Sequence, residues 1–105
     1  MEQYEAKFNV GDVVHHKRFG YRGVIIDADP TFSLSDEWYE VMAKSRPPKD
    51  RPWYHVLVHA SDHQTYVAEH NIEPDGSGEP IRHPLVGSYF EEFREGRYVN
   101  PRLAS

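Results

Sequence analysis

"GDVVHHKRFGYRGVIIDADP", Gly11 to Pro30, is the stretch whose reading decides the fold. Val10, Val13 and Val14 lead into a short strand from Asp12 to His16, and Gly20 and Gly23 give the backbone freedom at the turn and strand that follow. A second strand from Tyr21 to Asp27 holds the apolar run Val24-Ile25-Ile26. It stops at Asp29-Pro30, where proline removes a ladder donor and holds the preceding residue extended. Such a run belongs in a central strand of a small barrel.

Downstream, "TFSLSDEWYEVMAKSRPPKDRP" reads as a long loop with one or two helical turns, since Ser35 is fit to cap a helix whose first turn carries Asp36 and Glu37. Pro47, Pro48 and Pro52 exclude regular structure until "WYHVLVH", whose β-branched and aromatic content predicts a strand from Trp53 to His59. Gln64 to Glu69 pairs with it across a polar turn at Ser61-Asp62, and a further short strand is expected at Asn71-Ile72. In the C-terminal stretch Leu85, Val86, Tyr89, Phe90 and Phe93 fall at helical spacing between Pro84 and Gly96. That predicts an amphipathic helix over 84–95, packed on its own barrel or on a sister subunit of a homo-oligomer, with a flexible tail over 97–105. The fold class expected is therefore mainly β: a small, partly open SH3-like β-barrel with a C-terminal α-helix.

With 105 residues the chain suits one domain, 1–105, large enough for a modest core. It has no cysteine, so neither disulfides nor a thiolate zinc site holds it together. Neither a secretory apolar run nor a membrane-spanning stretch is present in the sequence, and the expected compartment is the cytoplasm with no membrane partner. The net charge is −5: residues 1–60 carry 8 Lys/Arg against 9 Asp/Glu, residues 61–105 carry 4 against 8. An acidic chain lacks the field that gathers a protein onto phosphate backbones, so nucleic-acid binding needs a local patch.

Chemistry is sparse. His55, His59 and His63 recur every four residues, but on a strand four residues span about 13 Å, too far for ligands about 2 Å from one zinc ion. His15 and His16 are neighbours on opposite strand faces. No metal or other cofactor is expected from these patterns. The sequence holds no cysteine nucleophile, no G-x-S-x-G elbow, no phosphate loop and no H-E-x-x-H, so no enzyme is expected. Two basic, aromatic-bearing segments remain: "HHKRFGYR", with Lys17, Arg18, Phe19, Tyr21 and Arg22, and "KSRPPKDRPWY", with Lys44, Arg46, Lys49, Arg51, Trp53 and Tyr54. Cations interleaved with rings suit a nucleic-acid or partner surface, and equally a soluble hairpin tip whose rings fold back on the core. From these segments Lys17, Arg18, Phe19, Tyr21, Arg22, Lys49, Arg51 and Trp53 are the candidate contacts. Arg102 and Leu103, beyond Pro101, are candidates for docking a protease.

Three ordered motifs, "KFNVGDVVHHKRFGYRGVIIDADP", "PWYHVLV" and "TYVAEHNI", together resemble the HspQ heat-shock protein family, also called YccV-like or hemimethylated-DNA-binding, over residues 7–73. The resemblance implies a small β-barrel and a cytoplasmic stress role. It implies two functions of different kinds. One is promotion of the proteolysis of denatured proteins, including a replication initiator, as an adaptor-like enhancer of Lon protease. The other is binding of hemimethylated DNA. The acidic balance ranks the first ahead of the second.

Overall fold

In the computed structural model, which describes residues 5–101, the motif 11–30 forms a hairpin of β1 (Val13–His16) and β2 (Arg22–Asp29). The other elements are α1 (Asp36–Met42), β3 (Trp53–Val58), β4 (Gln64–Ala68), a 3-10 turn (Glu69–Asn71), β5 (Ile72–Pro74), the single-turn α2 (Val86–Tyr89), β6 (Glu92–Arg94) and β7 (Arg97–Val99). Strands β1 to β5 make one antiparallel sheet in the order β4-β3-β2-β1-β5, and β6 pairs with β7 in a second, two-stranded sheet. The protein is mainly β, as its sequence predicts, and the main sheet is open, with β4 and β5 as its edges.

The sheet is covered on both faces, which explains why its central strands carry unbroken apolar runs. Successive residues of a strand point to opposite faces. Val13, Val24 and Leu57 meet Ile81, Phe90 and Tyr98 on one face, while their neighbours Val14, Ile25 and Val56 meet Tyr54, Val67 and Ile72 on the other. A β-bulge at Ile26 lets Asp27 pair with His55 directly after Ile25 pairs with Val56.

The C-terminal segment supplies the first face's cover, but not as the helix predicted over 84–95. Only Val86–Tyr89 is helical, and Phe90 is already extended. The chain then turns through Glu95 and Gly96, both at positive φ, which is the geometry of a two-residue hairpin loop. Gly96 is thus a hairpin residue and not a helix stop, and residues 97–99 of the predicted tail are strand β7. The aromatic side chains reach the core by this route: Phe93 sits opposite Tyr98, with ring centroids 4.8 Å apart, and the Tyr98 hydroxyl accepts from Ile81 N at 2.8 Å and donates to Ile81 O at 3.1 Å. Gly11 permits the junction. Its φ is +99°, and a Cβ there would lie 2.2 Å from the Tyr98 carbonyl oxygen.

Helix α1 is capped as its sequence predicts, Ser35 Oγ accepting from Trp38 N at 3.1 Å. It lays Tyr39 and Ala43 against Trp53, Tyr66 and Ala68 of the hairpin β3–β4. The Tyr39 hydroxyl donates to Pro47 O at 2.6 Å, and Trp53 Nε1 donates to Pro48 O at 3.0 Å, so the proline-rich loop is pinned by two buried aromatic side chains.

Candidate recognition surface

The turn after β1 holds Lys17, Arg18 and Phe19 together at the surface. Phe19 is 73% exposed and stacks on His16, with centroids 4.7 Å apart and planes 25° from parallel. The Arg18 guanidinium lies 5.8 Å from the Phe19 ring centre. His16 is buried beneath, and its Nδ1 accepts from Arg18 N at 3.2 Å and Phe19 N at 3.1 Å. Two amides aimed at that atom require an unprotonated Nδ1, and burial, followed by the Arg18 and His15 charges, pushes the His16 pKa below its ordinary 6.5. Tyr21 is half-buried and crosses to β4, its hydroxyl 2.9 Å from Thr65 Oγ1.

Arg22 is not part of this group. One residue further along the strand it points to the other face, where Nε donates to Asp75 at 3.0 Å and the guanidinium reaches the Glu79 carbonyl. It straps down the segment after β5. Burial raises the Asp75 pKa, but hydrogen bonds from Ser77 and Arg22, with the Arg22 charge, outweigh that and hold the carboxyl below its ordinary value.

In the second basic segment Lys49, Arg46 and Arg51 are paired, whereas Lys44 has no ion pair among the described residues. Lys49 Nζ lies 4.4 Å from the Tyr39 ring centre and 3.2 Å from Asp36 Oδ1, and Arg46 pairs with Glu40 at 2.9 Å. Arg51 pairs with Asp50 at 3.2 Å and lines a different hollow with Lys7 and Glu69. Trp53, a candidate contact by sequence, is a core ring with 1% exposure, because α1 packs over its face of the sheet and Tyr39, Ala43, Tyr66 and Ala68 enclose it. Its neighbour Tyr54 is buried as well and donates its hydroxyl to Glu69 at 2.6 Å. Arg102 and Leu103 lie outside the described residues.

What the turn does meet is α1. A cleft of about 410 Å³ opens between Phe19 and Tyr21 on one side and Leu34, Trp38 and Met42 on the other, with Gln64 to Val67 of β4 as its floor. It continues past Ala68 into a smaller hollow of about 100 Å³ flanked by Arg18 and Lys44. Met42 is 59% exposed at the rim. Tyr66 forms part of the wall: its ring stacks on Trp53 at 5.2 Å and approaches Trp38 at 5.6 Å, and its hydroxyl donates to Asp29 at 2.7 Å while accepting from Ser33 N at 3.0 Å. Burial and the Asp29 carboxylate push the Tyr66 pKa up to about 12, so it is a fixed neutral hydroxyl. Sequence reading missed Leu34, Trp38, Met42 and Tyr66. A sequence signal that could have pointed there is the apolar pair Val41-Met42 following the polar start of the short helix, and both side chains are exposed.

The histidines at four-residue spacing do not converge. His59 Nδ1 accepts from Arg82 N at 2.9 Å, His63 is exposed beside Asp62, and His55 turns to Asp29 at 3.3 Å. Asp27, Asp29 and His55 do bring one ligand-type atom each within 4.8 Å of the others, but Asp29 Oδ2 is already held by the Tyr66 hydroxyl.

Residues 6–97 match the family model described as hemimethylated DNA-binding protein YccV like. The chain belongs to the YccV-like family. Among its relatives is F-box only protein 21, 37% identical over 94 residues in Mus musculus and 36% in Homo sapiens and Pongo abelii. The alignment takes in 88% of this chain but only 15% of each relative, so the YccV-like unit also occurs as a small part of a much longer polypeptide. The family match extends beyond the resemblance over 7–73 and takes in the C-terminal cover up to Arg97.

Proposed function

We propose that this YccV-like domain is a non-catalytic cytoplasmic adaptor that binds denatured proteins, a replication initiator among them, and promotes their degradation by Lon protease. One observation carries the reading: an aromatic cleft lies open between Phe19 and Met42, while Arg22, Arg46 and Lys49 of the two basic segments are engaged in ion pairs within the fold. Solvated apolar side chains grouped around a concavity suit a chain segment that has lost its own core. The test uses purified Lon and a chemically unfolded client. The domain should raise the rate of client loss, and Phe19→Ser with Met42→Ser should abolish the increase; no acceleration by the unaltered domain overturns the reading.

Hemimethylated DNA is the second reading, favoured by the family's description and by Lys17, Arg18 and Lys44, which have no ion pair among the described residues. Three phosphate contacts would give affinity that falls with salt on a log-log slope of about −3. Arg22→Glu is a poor probe, because it also breaks the pair with Asp75. Lys17→Glu with Arg18→Glu is the cleaner one: unchanged binding, or equal affinity for hemimethylated and unmethylated duplex, counts against DNA recognition.

A further inference from the structure

We infer that the free edge of β4 captures an extended polypeptide by strand addition, in antiparallel sense, with the acidic, N-terminal end of the captured segment lying between Arg18 and Lys44. The inference deepens the polypeptide-binding part of the proposed function and rests on it; Lon has no part in it.

The edge is defined by its hydrogen bonds. Val58 N donates to His63 O at 3.0 Å and Glu69 N donates to Pro52 O at 3.0 Å, at the two ends of the β3–β4 ladder. Bonded and non-bonded pairs alternate in an antiparallel ladder, so the pairs Val56–Thr65 and Tyr54–Val67 exchange hydrogen bonds between these ends. The backbone groups of Gln64 and Tyr66 therefore point away from β3, and they have no partner among the described residues. Two N–H and two C=O groups in register are a template for one more strand.

The side-chain surroundings suit one kind of strand. Thr65 and Tyr66 point to opposite faces of β4; Tyr21 touches Thr65 on one face, and Trp38 lies against Tyr66 on the other. An added strand thus meets apolar walls on both faces: Phe19 and Tyr21 for alternate residues, Trp38 and Met42 for those between. Amphipathic segments satisfy one wall only. A segment apolar on both faces is what a central strand of a globular protein exposes when that protein unfolds, as Val24-Ile25-Ile26 of this chain would. Arg18 and Lys44 flank the Ala68 end, which in antiparallel addition receives the N-terminal end of the guest, and carboxylates there complete the match.

The probe is the peptide acetyl-Asp-Asp-Val-Phe-Val-Leu-Val-Lys-amide, with a fluorophore on the lysine amine at the end away from the Asp pair, titrated with the full chain. Binding should weaken at least tenfold when Lys replaces both Asp. It should also weaken tenfold when alternate peptide nitrogens are methylated in the one phase that faces β4, with the complementary phase tolerated. Amide resonances of Gln64 and Tyr66 should be among the most shifted. Tolerance of both methylation phases overturns strand addition. So does failure to bind the peptide while reduced, carboxymethylated α-lactalbumin is still retained, an outcome that leaves the wider reading standing; retention of neither overturns both. A β4–β4 dimer in sedimentation, or a DNA duplex that shifts the same two amides, assigns the edge to another occupant and also overturns the inference.

Discussion

The two edges of the main sheet are built differently. β5 offers three residues, ends at Pro74, which has no N–H to give, and carries Glu73 paired with His15 at 2.9 Å. Short length, proline and charge are the ordinary means by which a sheet edge is made unattractive to other strands. β4 has none of them: its five residues, Gln64 to Ala68, include neither proline nor a charged side chain, and aromatic walls rise on both of its faces. One edge is closed to partners and the other is left open under cover. The difference locates recognition on β4 and assigns the residues around β5 to holding the fold.

Both edges are nevertheless anchored in the core, and the largest expected effects test that. Tyr66→Ala removes the ring stacked on Trp53 and leaves Asp29 and Ser33 N without their hydroxyl partner, so stability should fall by about 4 kcal/mol in urea denaturation. Ile72→Ala on β5 deletes one member of the core cluster around Val14, Ile25 and Val56 and should cost about 3 kcal/mol. If either substitution proves neutral, that edge is not an anchored strand and the comparison fails on its side.

Proline placed at neighbouring β4 positions sharpens the comparison. Thr65→Pro removes a ladder bond to Val56 and should destabilise by about 3 kcal/mol. Gln64→Pro removes an outward N–H and should cost less than about 1 kcal/mol while weakening capture of the peptide. The reverse order of costs would show that the ladder alternates in the opposite phase, with the outward groups belonging to Thr65 and Val67, and equal costs would show that the two positions do not differ in ladder bonding.

The strands were legible because their signals are local. β2 stops at Asp29-Pro30, and β3 begins directly after Pro52 at a run of aromatic and β-branched residues. The unbroken run Val24-Ile25-Ile26 announced a central strand, and both faces of β2 are indeed covered. The C-terminal cover was misread because apolar residues of the pieces that carry it coincide with a helical period. Leu85 and Tyr89 are exposed, whereas Phe90 and Tyr98, on opposite sides of the Glu95-Gly96 turn, reach the core. The alternation in "EFREGRYV" around Glu-Gly is the signal that distinguishes the two structures. Of the candidate contacts, Lys17, Arg18, Phe19 and Tyr21 do share one surface because they follow one another along a single turn. The cleft they border could not be read from sequence, since its other wall is 13 to 25 residues away and comes to face them only through the packing of α1 on β3 and β4.

The smallest effect expected is one of pH, and it tests whether the wall of the β4 cleft rests on a neutral imidazole. His16 accepts two amide hydrogen bonds at Nδ1 and supports the Phe19 ring, and its pKa in the fold is below the 6.5 of a free histidine. Between those two values the unfolded chain binds more protons than the folded one, so the stability this residue contributes is fully present above pH 6.5 and declines as pH falls through the lowered value. His59, lowered by burial and by Arg22 and Arg82, adds a change of the same sign. Melting temperatures taken from about pH 8 down to about pH 5 should therefore fall, and His16→Gln and His59→Gln should each remove part of the slope. Only the His16 change should move with capture of the peptide probe, because protonated Nδ1 can no longer accept from Phe19 N and the exposed ring loses its seat; His59, in the turn after β3, accepts from Arg82 N and does not line the cleft. A melting curve as pH-dependent in His16→Gln as in the parent, or peptide affinity unchanged across the same range, would show that Phe19 holds its place without the imidazole and that the open edge owes nothing to it.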